Sequence, residues 1–312
     1  MALTKSDIPN LLLPGLKTEF ELAYRSQVED SIADQIATVV NTVQPMQRYA
    51  WLGATPPMRE FVDERRPAGL SEYAVAIEDK VFESTIAVSR RAIEDDQLDL
   101  IRLRVKDLAS RVSQHRHQIV VQALLGGGSG ACYDGTTFFG SSHPGVGGPY
   151  SNTTNSALSA ATLANAISQM MQIPDDSGVP LGIVPDTLVV GPKLMWDAIE
   201  LIESPVVVYK GTGSTGTSPT DYVNAFRGRL RLIVSPYISG LSADAWFVLD
   251  TKRPIKGVIL QQRSDVPVEF TSVESKGGSE SAFMQDRYFY GVRARYNVGY
   301  GLWQAAYGGK LS

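Results

Sequence analysis

Residues 93–128 read IEDDQLDLIRLRVKDLASRVSQHRHQIVVQALLGGG. Ile101, Val105, Leu108, Val112 and Ile119 step by four, three, four and seven, and His115 fills the vacant place between the last two. That spacing predicts one face of a continuous helix from Ile93 to Leu125. Glu94, Asp95 and Asp96 stand at its start, where the helix dipole favours negative charge. The glycines at 126–128 are expected to end it through the left-handed C-terminal conformation that glycine tolerates. About 33 residues at ~1.5 Å each make a rod roughly 50 Å long, well beyond the usual globular helix of about a dozen residues. A rod with one narrow apolar seam should lie along something flat, such as a sheet.

The C-terminal section, 254–312, supplies a candidate for that sheet. In DRYFYGVRARYNVGYG, strand alternation puts Tyr288, Tyr290, Val292, Ala294 and Tyr296 on one side and Arg287, Phe289, Arg293 and Arg295 on the other. VPVEFTSV alternates in the same way. Rod and sheet stand far apart in the chain, and the section between them, roughly 156–250, carries its own α/β signals. SALSAATLANAISQMMQ reads as an amphipathic helix, and DTLVVGPKLMWDAIELI as a strand, a Gly-Pro break and a helix with Pro192 in its first turn. RLRLIVSPYI and AWFVLDT read as further strands, and KGTGSTGTSPTD as a surface loop. This section is expected to be an insertion.

Two N-terminal sections precede the rod. TEFELAYRSQVEDSIADQIATVV has a thin, loosely helical stripe of Phe20, Leu22, Val28, Ile32, Ile36 and Val39. From residues alone it is either an ordinary helix or an arm that buries its stripe on another subunit. Residues 46–91 read as extended structure: MREFVDERR and SEYAVAIED around a turn at PAGL, then KVFESTIAVSRR. So polar an excursion needs a surface to hold it, on its own body or on a neighbour.

With 312 residues, 43% of them apolar, the chain can fill a sizeable core. A net charge of −4, with both signs interleaved, offers no basic stripe for gripping nucleic acid by sequence. One cysteine permits no internal disulfide, which fits a reducing compartment. The opening MALTKSDIPNLLLPGL holds only three consecutive leucines before Pro14, too few for a secretory signal or a membrane span.

The segments that resemble chemical motifs argue against themselves. GTGSTG, with Gly211, Gly213 and Gly216, has dinucleotide-fingerprint spacing, yet Pro219 blocks the first turn of the helix that fingerprint must open. His115 and His117 lie about 200° apart around a helix and cannot chelate one metal ion, which needs i and i+4. CYDGTTFFGSSHPG at 132–145 holds Cys132 and His143, a conceivable thiolate pair. It follows a helix C-terminus, whose dipole raises a thiol pKa, and its aromatics Tyr133, Phe138 and Phe139 suit a compact loop packed on itself. No catalytic group, metal site or cofactor is expected.

Taken in order, WLGATPPMREF, EDDQLDLIRLRVKDLA and CYDGTTFFGSSHP resemble the major head subunit of Mu-like phages and prophages, over most of the chain. That family is similar to tailed-phage capsid proteins of the HK97-type fold. The resemblance implies an α+β subunit with an N-terminal arm (1–45), an extended β-hairpin loop (46–91), a peripheral domain with a long spine helix and sheet (92–155 and 254–312) and an inserted α/β axial domain (156–253). It implies a structural protein of the virion, assembled in the host bacterial cytoplasm. Its partners would be copies of itself in pentamers and hexamers, a separate scaffolding protein, portal and decoration proteins, and packaged double-stranded DNA held without sequence specificity. Arg59, Glu60, Asp63, Glu64, Arg65 and Arg66 are then candidate inter-subunit ion pairs. Some relatives of the wider fold crosslink through a lysine and an asparagine; Lys80 lies in the extended section, but no catalytic partner stands out, so no crosslink is expected. The rival readings are an encapsulin-like shell around cargo and a cytosolic hydrolase using Cys132 and His143.

Overall fold

The long helix, α3, runs from Leu98 to Leu125 in a computed structural model that describes residues 8–29, 31–49, 75–89, 91, 98–175, 178–208, 221–265, 268–272 and 286–311. Its 28 residues span about 42 Å. Ile101, Val105, Leu108 and Val112 are buried, as their spacing predicts. Beyond Val112 the narrow seam gives way to a broader buried face of Arg116, Val120, Val121 and Leu124. There the helix has protein on two sides, so no single stripe describes it. The glycines that follow form a short 3-10 turn, and none of the three takes a left-handed φ. Glycine is required for a different reason: a Cβ on Gly127 would run into the Phe139 ring, and one on Gly130 into Tyr300.

A five-stranded sheet lies under the helix. β1 (Ala37–Thr42) pairs in parallel with β11 (Val258–Arg263), and β13 (Arg287–Tyr300) pairs antiparallel with β11 and β12 (Val268–Ser272) on one edge and with β4 (Lys80–Ser89) on the other. Tyr288, Tyr290, Val292, Ala294 and Tyr296 are all buried, on the parity read from the sequence. Tyr288, Tyr290 and Val292 form one apolar cluster with the first half of α3.

The N-terminal stretch is less uniform than its pattern suggests. Helix α1 (Ile8–Glu29) continues through Pro14, a break follows at Ser31, α2 covers only Ile32–Ile36, and the next residues form β1. Thr38, Val39 and Val40 are β-branched and find ladder partners in Ile259, Leu260 and Gln261, so pairing overrides the helical spacing. Helix α1 packs on α3 of its own chain: Leu16 and Phe20 are buried, and Phe20 stacks on Phe270 at 5.2 Å.

The extended section is rooted by β2 (Met46–Tyr49), which pairs antiparallel with β3 (Val75–Glu78). The turn expected at PAGL and both flanks of it up to residue 74 lie outside the described residues. The returning strand β4 pairs with β13 along its whole length, from Lys80 to Ser89. Asp79, between β3 and β4, takes Arg295 of β13 at 2.7 Å, and Asn297 Nδ2 donates to the Glu78 carbonyl at 2.7 Å. These contacts fix the root of the excursion to the body.

A second sheet has the order β5 (Thr153–Thr154), β14 (Ala306–Gly309), β10 (Trp246–Leu249), β6 (Thr187–Val190), β9 (Arg231–Val234). β6, β10 and β14 are buried at every position, which explains their unbroken apolar runs. Helix α4 (Ala160–Gln172) starts on a capping box in which Ser159 and Thr162 satisfy each other's backbone amides. Helix α5 (Met195–Glu203) follows the Gly-Pro break as expected. One core joins the two sheets through α3: Val120, Val121 and Leu124 pack in the same cluster as Leu188, Phe247, Leu260 and Tyr296.

Candidate functional site

The loop that most resembles an active site is a closed structural knot. His143 is fully buried, with its ring stacked on Trp303 at 3.9 Å. Its Nδ1 meets Asp134 Oδ2 at 2.5 Å and Thr136 Oγ1 at 2.9 Å, and its Nε2 meets Asn152 Oδ1 at 3.1 Å. Both ring nitrogens are therefore engaged, and no face is open to a substrate. Burial alone would raise the Asp134 carboxyl, but hydrogen bonds from His143 and Thr136 outweigh it and hold the group below its ordinary value. Asn152 is the hub: Oδ1 accepts from Gly140 N at 2.9 Å, and Nδ2 donates to the carbonyls of Phe138, Trp303 and Ala306 at 2.8, 3.2 and 3.2 Å. The loop is thereby tied to the C-terminal strand.

Cys132 takes no part in that dyad. Burial, with the Asp134 charge beside it, pushes its thiol up to about 12, the opposite of an activated nucleophile. The two other histidines are separate, as their helical angle requires: His115 Nδ1 lies 2.7 Å from Tyr296 Oη, and His117 Nε2 lies 3.0 Å from Ser235 Oγ. Burial lowers both, His117 to about 4, so each sits neutral in the fold at neutral pH. No group of three metal-ligating side chains occurs among the described residues, and no described helix is long and apolar enough to cross a membrane. Gly211, Gly213 and Gly216 lie outside the described residues, bracketed by β7 (Val206–Val208) and β8 (Asp221–Val223), which pair with each other as a hairpin does.

Arg59, Glu60, Asp63, Glu64, Arg65 and Arg66 lie outside the described residues, so their pairing has no geometry to report. Lys80 is exposed at the start of β4. Trp196, 71% exposed, and Leu241, 95% exposed, flank the Lys193–Asp244 ion pair at 2.8 Å on the second sheet's side. A groove of about 600 Å³ runs between α3 and the edge of the first sheet, floored by Phe82, Val292 and Tyr296 and rimmed by Arg104, Asp107 and Arg111.

Sequence reading missed one feature entirely. Arg116 is 1% exposed, and its Nη2 donates to Asp34 Oδ1 at 2.8 Å and to Gln262 Oε1 at 3.3 Å. Burial raises the Asp34 carboxyl against the opposing pull of Arg116 and Lys256. Lys256 Nζ donates to the carbonyls of Asp34, Gln35 and Ala37 at 2.9, 2.8 and 3.0 Å, satisfying the end of α2. The only sequence signal was a charged residue where an amphipathic helix turns inward.

With the loop closed as a buried knot and a long helix laid on a sheet, the chain can be set beside known proteins. The Mu-like prophage FluMu major head subunit of Haemophilus influenzae is 27% identical over 281 residues, which cover 89% of this chain and 66% of that protein. The major capsid protein of Escherichia phage Mu is 22% identical over 296 residues, 94% of this chain and 72% of that one. The chain thus spans about two thirds of the length of these relatives. Among solved structures, the procapsid of bacteriophage JBD30 aligns with a TM-score of 0.54 and 26% identity over 96% of this chain and 74% of that one, and the fold is of the HK97 type. The family model described as Mu-like prophage major head subunit gpT matches residues 10–157, 149–238 and 239–312, and the chain belongs to that family.

Proposed function

We propose that this chain is the major capsid protein of a Mu-like phage or prophage head, and that its copies close into an icosahedral shell around packaged double-stranded DNA. The observation that carries the reading is the gpT family match, which runs from residue 10 to the C-terminus. The shell is built from pentamers and hexamers, with residues 1–45 as arm, 46–91 as extended loop, 92–155 and 254–312 as peripheral domain and 156–253 as axial domain. Arg59, Glu60, Asp63, Glu64, Arg65 and Arg66 pair across subunits. Each exposed pair contributes under about 1 kcal/mol, but repetition in closed symmetry multiplies it. A separate scaffolding protein, a portal and decoration proteins complete the particle, which assembles in the host cytoplasm. A net charge of −4 suits a wall that must hold DNA without gripping it.

The subunit acts without catalysis, which the closed His143 dyad and the raised Cys132 thiol support. Negative-stain microscopy of the purified protein tests the reading: closed particles are expected, and a chain that stays monomeric under all conditions, with scaffolding protein supplied, overturns it. Deleting residues 58–73, which spares β3, should leave a folded body that no longer closes shells, and normal particles from that variant would overturn the role of the extended loop.

A further inference from the structure

Arg116 ranks among the largest side chains withdrawn from solvent, and it stands where α2, α3 and β11 converge. Through Gln262, whose Nε2 donates to Asn41 Oδ1 at 2.7 Å, the same cluster reaches β1. Tyr24 of α1 also lies beside the guanidinium, whose charge opposes the rise that burial imposes on the phenol. One buried cation thus contacts α1 and α2 and reaches β1 through Gln262.

Polar contacts between α3 and that segment recur roughly once per turn. Lys106 meets Glu19 at 3.0 Å, Gln27 Nε2 donates to Ser110 Oγ at 2.6 Å, Ser113 Oγ donates to the Gln27 carbonyl at 3.4 Å, and Arg116 meets Asp34 at 2.8 Å. The first rung is open to solvent, with side chains 52% and 35% exposed, and open pairs hold geometry weakly. Only the last rung has a fully buried cation. A cavity of about 560 Å³ lies between α1 and α3 beside the intermediate rungs, lined by Ala23, Gln27, Leu103 and Ser110. Packing along that groove is open, and the segment's direction is set where the single nitrogen Nη2 of the buried guanidinium engages two acceptors.

Such a group is a poor source of stability. Taking a guanidinium out of water costs about what its pairing returns, and apolar replacements of buried ion pairs are often neutral. Here even the pairing is incomplete, because Arg116 Nε has no hydrogen-bond partner and neither does the buried Ser31 Oγ at the α1–α2 break. What the buried group supplies is orientation.

We propose that Arg116 is a positioning residue for shell assembly: held to Asp34 and Gln262, it fixes where segment 8–36 lies along the spine helix, and so where that segment meets neighbouring copies of this chain. The proposal rests on the shell reading above.

The test compares the full-length wild type with Arg116→Met, Arg116→Lys and Asp34→Asn, and with Val121→Ala as a control that weakens the core of the same helix. Amide hydrogen exchange and particle diameters in negative stain are the readouts. Arg116→Met should keep the wild-type circular dichroism, exchange about tenfold faster across 31–42 with the second sheet unchanged, and give particles of mixed diameter. Arg116→Lys should partly restore the single diameter, because it returns the charge on a shorter, non-planar donor. Val121→Ala should be less stable yet uniform. An Arg116→Met protein whose particles match the wild-type diameter overturns the proposal. If that variant fails to fold, Asp34→Asn, whose carboxylate is partly solvated, carries the same two outcomes. A wild type that forms no particles sinks the shell reading instead, and the exchange at 31–42 then decides whether Arg116 holds the segment.

Discussion

The loop at 131–152 and the joint around Arg116 both bury polar side chains, but they end in opposite states of satisfaction. In the loop, both polar atoms of the Asn152 side chain and both ring nitrogens of His143 have partners. In the joint, Arg116 Nε and Ser31 Oγ have none, and Asp34 is 28% exposed. A fully paired network in a low-dielectric interior specifies one arrangement and resists change. A partly paired one tolerates alternatives of similar energy. The subunit thus has a fully paired, rigid point where its second sheet joins its loop, and a sparsely paired one, held by Arg116, where its N-terminal segment joins its body.

The largest effect that could break this contrast is at Asn152. Replacing it with alanine removes a partner from the Gly140 amide, His143 Nε2 and three carbonyls in the core, and each buried group left unpaired costs about 1–3 kcal/mol. Relaxation recovers part, so Asn152→Ala should lose about 3–5 kcal/mol in urea unfolding. A loss under about 1 kcal/mol would show that water or rearrangement satisfies the knot, and rigidity there would have to be abandoned.

Acid should separate the regions next. His117, packed edge-on against Tyr237 at 5.0 Å and bonded to Ser235, is pushed down to about 4 in the fold. In the unfolded chain it takes up a proton near pH 6.5. The unfolded state therefore binds the proton first, so this contribution is complete above about pH 6.5 and is lost as pH falls towards 4. Discounted for partial exposure, the loss amounts to about 2 kcal/mol. His117→Gln should flatten the stability profile between pH 4 and 6.5, and an unchanged acid limb would place the titrating group elsewhere.

How much of this was legible in the sequence follows from the range of the interactions. Strand parity from Tyr288 to Tyr296 is a local rule with a strict period of two, and every side chain fell on its assigned face. The α3 seam held as far as Val112, where the helix has one packed side. Past it the rule needs a partner map: Arg116 finds Asp34 and Gln262 at 82 and 146 residues' separation. Thr38 to Val40 looked helical by spacing and became strand because β11 lay alongside. In the loop, the sequence argued against an activated thiol from the helix dipole and the packed aromatics, whereas in the fold burial and the Asp134 charge raise it; the role of Asn152 was invisible because three of its partners are backbone carbonyls.

A smaller effect is expected at Cys132. It is 7% exposed, and Cys132→Ser should cost about 1 kcal/mol by burying a hydroxyl where a thiol packed, with particle formation unchanged. With its thiol at about 12, almost no thiolate exists at pH 8, so a disulfide reagent should label it only as fast as the protein unfolds. Rapid labelling of the folded protein would mean that the loop opens, contrary to the rigid half of the contrast.

The smallest effect sharpens the sparsely paired half. Lys106–Glu19 is a single solvent-exposed contact, so Glu19→Gln should cost under about 0.5 kcal/mol and nothing measurable in high salt, where exposed charges are screened. Combined with Arg116→Met, it tests whether the rungs act together. Independent rungs give additive losses, as sites this far apart along a helix ordinarily do. A loss larger than the sum, read by urea unfolding at low salt, would mean that the outer rungs matter once the buried guanidinium is gone, and that α1 is held by the whole ladder. Additivity leaves Arg116 as the one contact that sets direction.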